Sequence, residues 1–172
     1  MERVFINEIK KMKRARDEIE EALGVRINLV DGEVEIESKE EDGMAEYFAK
    51  KILEAIDFGF KPQAAMQLKS EDYMFEKISI KDYARASRLQ TIKGRIIGKE
   101  GRAKGVIEEL TDCTMHIKDY NVGIIGKTCD VDVALNAVRN MILGLPHAKI
   151  YAYLEKSRKL RKERFEEEDS LK

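Results

Sequence analysis

Two stretches of this 172-residue chain repeat one another at an offset of 88 positions, which restricts the architectures open to it. Ile19-Glu20-Glu21 maps onto Ile107-Glu108-Glu109, Val25 onto Cys113, Ile27 onto Met115, Leu29 onto Ile117, Asp31 onto Asp119 and Val34 onto Val122. The exits match with a small change of offset: Phe58-Gly-Phe-Lys-Pro62-Gln-Ala64 parallels Leu143-Gly-Leu-Pro146-His-Ala148. Each half closes in a Pro-initiated segment, running to Leu68 in the first copy and much further in the second. Such a chain uses one small α+β unit twice, each copy large enough for its own core.

In the first copy Arg3 to Ile6 reads as a short strand. From Glu8 to Leu23 the residues Ile9, Met12, Ala15, Ile19, Ala22 and Leu23 fall on one helical stripe, which Gly24 ends. Val25, Ile27 and Leu29 alternate inward, Asp31-Gly32 is a hairpin turn, and Val34 with Ile36 is the returning strand. An acidic connector, Glu37 to Gly43, leads to a helix from Met44 to Ile56 with Ala45, Phe48, Ala49, Ile52, Leu53 and Ile56 inside. The second copy opens with a strand from Tyr73 to Ile80; Lys81-Asp82-Tyr83 links it to a helix from Ala84 to about Ile97. A second helix follows a glycine corner, carries Val106, Ile107 and Leu110 on one face, and ends at Thr111. Cys113, Met115 and Ile117 alternate as a strand, Asn121 or Tyr120 turns the chain, and Val122 to Ile125 is the partner strand. Thr128 caps the next helix, with Asp130 in its first turn. Beyond Pro146 a last helix runs to roughly Phe165, with Ile150, Tyr151 and Leu154, and Tyr153 as a further candidate, on its apolar face; Ser170-Leu171-Lys172 frays.

The corner is where the copies differ. Gly98 and Gly101 bracket Lys99 and Glu100, a G-x-x-G between two helices. Glycine at both ends lets the backbone bend sharply and removes the Cβ atoms that would hold another backbone away. Amide groups at the start of the second helix favour an anion. Subtracting 88 gives Lys10, Lys11, Met12 and Lys13, with neither glycine, so Glu8 to Leu23 is expected to run as one unbroken helix.

Charge sharpens this contrast. The formal net charge is −1, yet residues 1–72 hold 12 Lys+Arg against 18 Asp+Glu, and residues 73–172 hold 20 against 15. From Ala84 to Gly105 seven basic residues (Arg85, Arg88, Lys93, Arg95, Lys99, Arg102 and Lys104) face one acid, Glu100. A local basic face of this kind suits a polyanion. Lys156 to Arg164 carries six basic residues and one acid, either a solvated helix end or a secondary contact to RNA or protein; Glu166 to Asp169 is acidic.

Other chemistries find little support. Two cysteines make no disulfide framework, and neither a leader nor a long apolar run is evident, so a cytoplasmic protein with reduced thiols and no membrane partner is expected. Cys113 and His116 point to opposite faces of a strand, which argues against a metal site. A nucleotide-hydrolase loop needs four residues between its glycines and Ser or Thr after the lysine; Gly94 to Gly98 encloses three, and Glu100 follows Lys99. Gly126-Lys127-Thr128 would need a glycine at 121, which is Asn. Glu20-Glu21 and Glu108-Glu109 read as solvated outer faces of helices, and no histidine has a partner suited to acid–base work. No enzyme and no cofactor are expected.

Strand, helix, Gly98-Lys-Glu-Gly101, helix, strand, strand, helix resembles the eukaryotic-type (type I) KH domain, in which a GXXG loop clamps a nucleotide backbone. The resemblance implies two tandem type I KH domains, each a three-stranded sheet with helices packed on one face, plus a charged C-terminal helix. Their bounds are 1–70 for a degenerate copy, 71–145 for the copy with the loop, and 146–172 for the helix and tail. Two copies of which only the second keeps its glycines, then Leu145-Pro-His-Ala and a charged helix, resemble one family: the archaeal counterpart of the eukaryotic KH protein called partner of Nob one, a small-subunit ribosome assembly factor. That resemblance implies single-stranded RNA near the 3′ end of small-subunit ribosomal RNA as ligand. It also implies a PIN-domain endonuclease and translation initiation factor two as partners. Gly98, Lys99, Glu100 and Gly101 would then hug the sugar-phosphate backbone, and Arg95, Lys99, Arg102 and Lys104 would neutralise phosphates. Ile97, Ile107, Met115 and Ile117 would form or support a groove for bases. Three departures from the usual KH pattern stand out: Asp112 where glycine commonly follows the second helix, Lys104 where many domains have Ile, and Glu100 inside the loop. The expected test is that Gly98→Asp with Gly101→Asp abolishes RNA binding while the fold survives. A protein-interaction scaffold and an exosome-type accessory subunit are the alternatives.

Overall fold

The computed structural model describes residues 2–30, 33–39 and 42–170; the Asp31-Gly32 turn, the middle of the acidic connector and the last two residues lie outside the described residues. The chain divides into two compact units, Met1–Phe75 and Glu76–Lys172.

The first unit runs β1 (Glu2–Phe5), α1 (Ile9–Leu23), β2 (Val25–Val30), β3 (Glu33–Ser38), α2 (Gly43–Phe58) and α3 (Pro62–Ala65), the last prolonged by a 3-10 turn over Met66–Lys69. Its sheet is antiparallel with strand order β1-β3-β2. Residues 10–13 lie within α1, which continues unbroken until Gly24 takes the left-handed conformation at φ 65°. Its entry has no capping side chain of its own; instead the Asp57 carboxylate, from α2, accepts the amides of Asn7 and Glu8 at 2.6 and 2.8 Å. Asp42 caps α2 by accepting the Met44 amide at 2.9 Å. The fully buried side chains Ile19, Ile27, Ile36, Ile52, Leu53 and Ile56 form the core. Leu29 departs from expectation: opposite the buried Val34, at the end of the hairpin where β2 and β3 connect, it is 42% exposed. Phe48 is half-buried. The rings of Phe58, Phe60 and Phe75 form a cluster, with centroids 5.5, 5.6 and 5.9 Å apart.

The second unit is entered through β4 (Tyr73–Ser79), followed by 3-10 turns at Ile80–Asp82 and Ala86–Arg88, α4 (Leu89–Ile97), a 3-10 turn over Lys99–Gly101, α5 (Arg102–Thr111), β5 (Thr114–Lys118), β6 (Asn121–Lys127), α6 (Thr128–Ile142) and α7 (His147–Ser170). Strand order is β4-β6-β5, the same as in the first unit. The registers coincide residue for residue at the offset of 88: Ile27 faces Ile36 as Met115 faces Ile124, and Leu29 faces Val34 as Ile117 faces Val122.

Several boundaries shift. The first long helix of this unit begins at Leu89, not Ala84, because 84–88 offer no large apolar side chain to bury and Leu89 is the first anchor, 7% exposed. Of the two residues offered for the β5–β6 turn, Tyr120 takes it together with Asp119, which stands at φ 54°; Asn121 already pairs with Lys118. Thr128 is the first helical residue, and extended Lys127 takes the cap position. The last helix passes Phe165 and reaches Ser170, its good helix formers Lys, Arg and Glu carrying it past its apolar anchors Ile150 and Leu154. Tyr153, at 38% exposure, stands outside that anchor. A Cβ on Gly126 would lie 2.5 Å from Cys113 Sγ, so that glycine serves packing. Among the described residues no helix is long and apolar enough to cross a membrane.

Candidate nucleic-acid interface

Helix α4 stops at Gly98, whose φ of 76° and ψ of 173° belong to a region open to glycine alone. The Gly98 amide still bonds the Gly94 carbonyl at 2.8 Å. Lys99 begins a single 3-10 turn in which Glu100 is left-handed at φ 55° and Gly101 at φ 76°, and α5 starts at Arg102. Glutamate pays for that conformation with strain, since a non-glycine residue rarely adopts it. The Gly101 and Arg102 amides bond inward, to the Gly98 carbonyl at 3.2 Å and to the Lys99 carbonyl. Lys99, Glu100 and Arg102 are exposed.

The two glycines have different tasks. A Cβ at Gly98 would stand 2.6 Å from both the backbone nitrogen and the Cβ of Ala103, which is 2% exposed. A Cβ at Gly101 would meet nothing within 4 Å. Gly98 therefore lets α5 start tight against the end of α4, and Gly101 leaves open space outside the bend. Aspartate at Gly98 is therefore expected to cost stability, whereas aspartate at Gly101 has room.

The structure divides the four candidate cations into two pairs. Lys99 and Arg102 have no protein partner among the described residues. Arg95, one turn before the loop, donates from Nη2 to the Leu145 carbonyl at 2.7 Å and so fastens α4 to the α6–α7 connection. Lys104 pairs with Glu108 at 2.9 Å. Of the apolar candidates, Ile107 and Met115 are core residues at 0% and 2% exposure, whereas Ile97 and Ile117 are half-buried and reach the surface.

Of the paired acids expected to be solvated, Glu21 and Glu109 are exposed, but Glu20 and Glu108 are half-buried and bonded. Glu108 Oε1 accepts the Met115 amide at 2.7 Å, which pins the edge of β5 to α5. Glu20 Oε1 does the same for the Ile27 amide at 2.7 Å, with Arg16 donating at 3.0 Å where the second unit has Lys104. Burial opposes the charge on Glu20, but the Ile27 amide and Arg16 outweigh it and hold the carboxyl below its ordinary value. The signal was in the repeat: acid and cation four residues apart recur at the offset of 88.

Arg161 also has a role missed from sequence. Its guanidinium binds the carboxylates of Asp130 and Asp112 and the carbonyls of Thr111 and Leu110. Far from being a solvated part of the charged helix, its side chain is 18% exposed. Asp112 stands in the left-handed position, φ 54°, that Gly24 fills in the first unit, and the Arg161 contact compensates the strain. Helix α7 is thus locked to the C-terminal end of α5, the end away from the glycine bend. Cys113, beneath this junction, is buried, which pushes its thiol up to about 12.

Comparison with known proteins places this geometry. Residues 74–159 match the model of a eukaryotic-type KH domain (KH-domain type I), the second such domain of PNO1. A KH domain-containing protein of Methanocaldococcus jannaschii is 38% identical over 163 residues, spanning 92% of this chain and 72% of that protein. The RNA-binding protein PNO1 of Oryzias latipes is 32% identical over 83% of this chain, which spans only 61% of its length. The crystal structure of a complex of a/eIF2alpha, aDim2p and rRNA from Pyrococcus horikoshii contains a chain that superposes with a TM-score of 0.81 at 32% identity, covering 92% of this chain and 93% of that one. This chain belongs to the archaeal, PNO1-like family of KH-domain proteins.

Proposed function

We propose that this chain is an RNA-binding protein of small-subunit ribosome biogenesis, holding single-stranded RNA at the glycine bend of its second unit. The observation that carries the reading is the open space outside Gly101, flanked by exposed Lys99 and Arg102, within the segment matched by the KH model. The phosphodiester backbone would lie against the bend, close to the amides of Lys99 and Glu100, while Lys99 and Arg102 neutralise phosphates. Bases would rest on Ile97 and Ile117, which Ile107 and Met115 support from below. Arg95 and Lys104 reach the strand only by leaving Leu145 and Glu108, so their part is positional first.

Both units are read as type I KH domains on the strength of their shared strand order and register. The first has Lys10, Lys11 and Lys13 inside an unbroken helix and lacks a bend to receive a backbone. The 3′ region of small-subunit rRNA is the proposed ligand, with translation initiation factor two and a PIN-domain endonuclease as proposed partners. The rRNA and initiation-factor proposals draw support from the composition of the Pyrococcus complex. No catalytic step is assigned.

The test is fluorescence anisotropy with a labelled oligonucleotide of the 3′ end of small-subunit rRNA, titrated with wild type, Gly101→Asp, Lys99→Ala/Arg102→Ala and a Lys10/Lys11/Lys13→Ala triple variant. The two loop variants are expected to lose most of the affinity and the triple variant little. Equal losses in all three would place the grip elsewhere; wild-type failure to bind at any salt concentration would favour a protein scaffold.

A further inference from the structure

The C-terminal end of α5, the start of α6 and the middle of α7 enclose a half-open cleft of about 250 Å³. Leu110, Val133 and Leu160 supply its apolar wall, and Arg158 and Arg164 belong to its lining. Leu160 is 53% exposed, so a large aliphatic side chain stands uncovered beside a cavity able to take another. The one acid in the lining, Asp130, is already bound by Arg161, as is Asp112 beside it. Arg158 and Arg164, unpaired among the described residues, leave uncompensated positive charge in the lining.

We infer that this cleft is a docking site for an acidic peptide segment of a partner protein, one carrying an aliphatic or aromatic anchor between carboxylates. The anchor fills the space between Leu110, Val133 and Leu160, and its flanking Asp or Glu residues pair with Arg158 and Arg164. Charge complementarity selects an acidic occupant. The cleft wall favours peptide over RNA: among the described residues its apolar members are aliphatic, with no aromatic platform on which a base stacks. Helix α5, ten residues and so about 15 Å long, separates this cleft from the glycine bend at its other end. A peptide here and a strand at the bend occupy opposite ends of one helix and do not compete.

The probe is a fluorescein-labelled decapeptide of Asp and Glu with two central leucines, titrated into full-length protein, with a Lys-for-acid version as control. Heteronuclear NMR should show the amides of residues 110, 133 and 160 shifting with the acidic peptide and not with the control. Leu160→Asp, and separately Arg158→Glu/Arg164→Glu, should each weaken the peptide by roughly tenfold or more. Both variants should bind the rRNA oligonucleotide like wild type, and saturating RNA should leave the peptide in place. The inference is overturned if the acidic peptide shifts none of those amides at about 1 mM, if neither variant weakens it, or if RNA displaces it, which would make the cleft part of the RNA path. Wild-type RNA affinity is read independently in the same samples, so a failure of the RNA-binding reading is distinguishable from a failure of this one.

Discussion

Gly98→Ala is the substitution on which the geometry makes its sharpest demand. The new methyl group would sit 2.6 Å from Ala103 N, a backbone atom that cannot swing aside as a flexible side chain would. The backbone at φ 76° and ψ 173° also excludes an L side chain, a strain of about 1–3 kcal/mol. Overpacking against a buried neighbour adds about 1–3 kcal/mol. Taking about 3 kcal/mol in all, and about 4–8 °C per kcal/mol for a unit of this size, the melting temperature should fall by roughly 15 °C. Gly101→Asn has no steric neighbour and asparagine tolerates the left-handed region, so its cost should be about 1 kcal/mol or less. Urea unfolding followed by circular dichroism, with thermal melts in parallel, reads both. Gly98→Ala as stable as wild type would refute the tight start of α5 and with it the division of labour between the glycines.

Arg161→Ala leaves the buried Asp130 carboxylate and left-handed Asp112 without their cation; thermal unfolding should show a loss of about 3 kcal/mol, much of it recovered when Asp130→Asn is added. Glu20 has a folded pKa below its unfolded value, so its contribution is present above the ordinary carboxyl value of 4.5 and disappears as pH falls through the lower folded value. Glu20→Gln should accordingly flatten the stability profile on that acid limb and leave alkaline stability unaffected in shape. Cys113, buried and with its thiol pushed up to about 12, should react with a thiol reagent only on unfolding, while exposed Cys129 reacts promptly; mass mapping of the labelled peptides checks both.

The repeat was legible because apolar alternation and a shared offset leave a mark in one dimension, and the registers of the two hairpins follow it to the residue. The glycine bend was legible because so few residue types can make it. Asp112 was visible as an oddity, and Gly24 at the matching position already said which backbone conformation it must adopt. What supports it was not visible. Arg161 lies in a run where nearly every residue is charged, so no amphipathic period singles out the one that turns inward, and its acceptors are 31 to 51 residues away. Glu108 hides in a similar way: an acid on a helix looks solvated until the strand seven residues on supplies an amide. Lys104 and Arg95 were countable as cations, but their use by Glu108 and the Leu145 carbonyl depends on tertiary placement. The helix expected from Ala84 failed because local propensity without burial does not hold a turn together.

Photo-crosslinking tests the central claim most directly. A short single-stranded RNA from the 3′ end of small-subunit rRNA, carrying 4-thiouridine at successive positions, is bound at low salt, irradiated and mapped by mass spectrometry. Crosslinks should fall within residues 95–102 and at Ile117, and should vanish in Gly101→Asp. Crosslinks concentrated on α1 near Lys10 to Lys13, or unchanged by Gly101→Asp, would contradict the account.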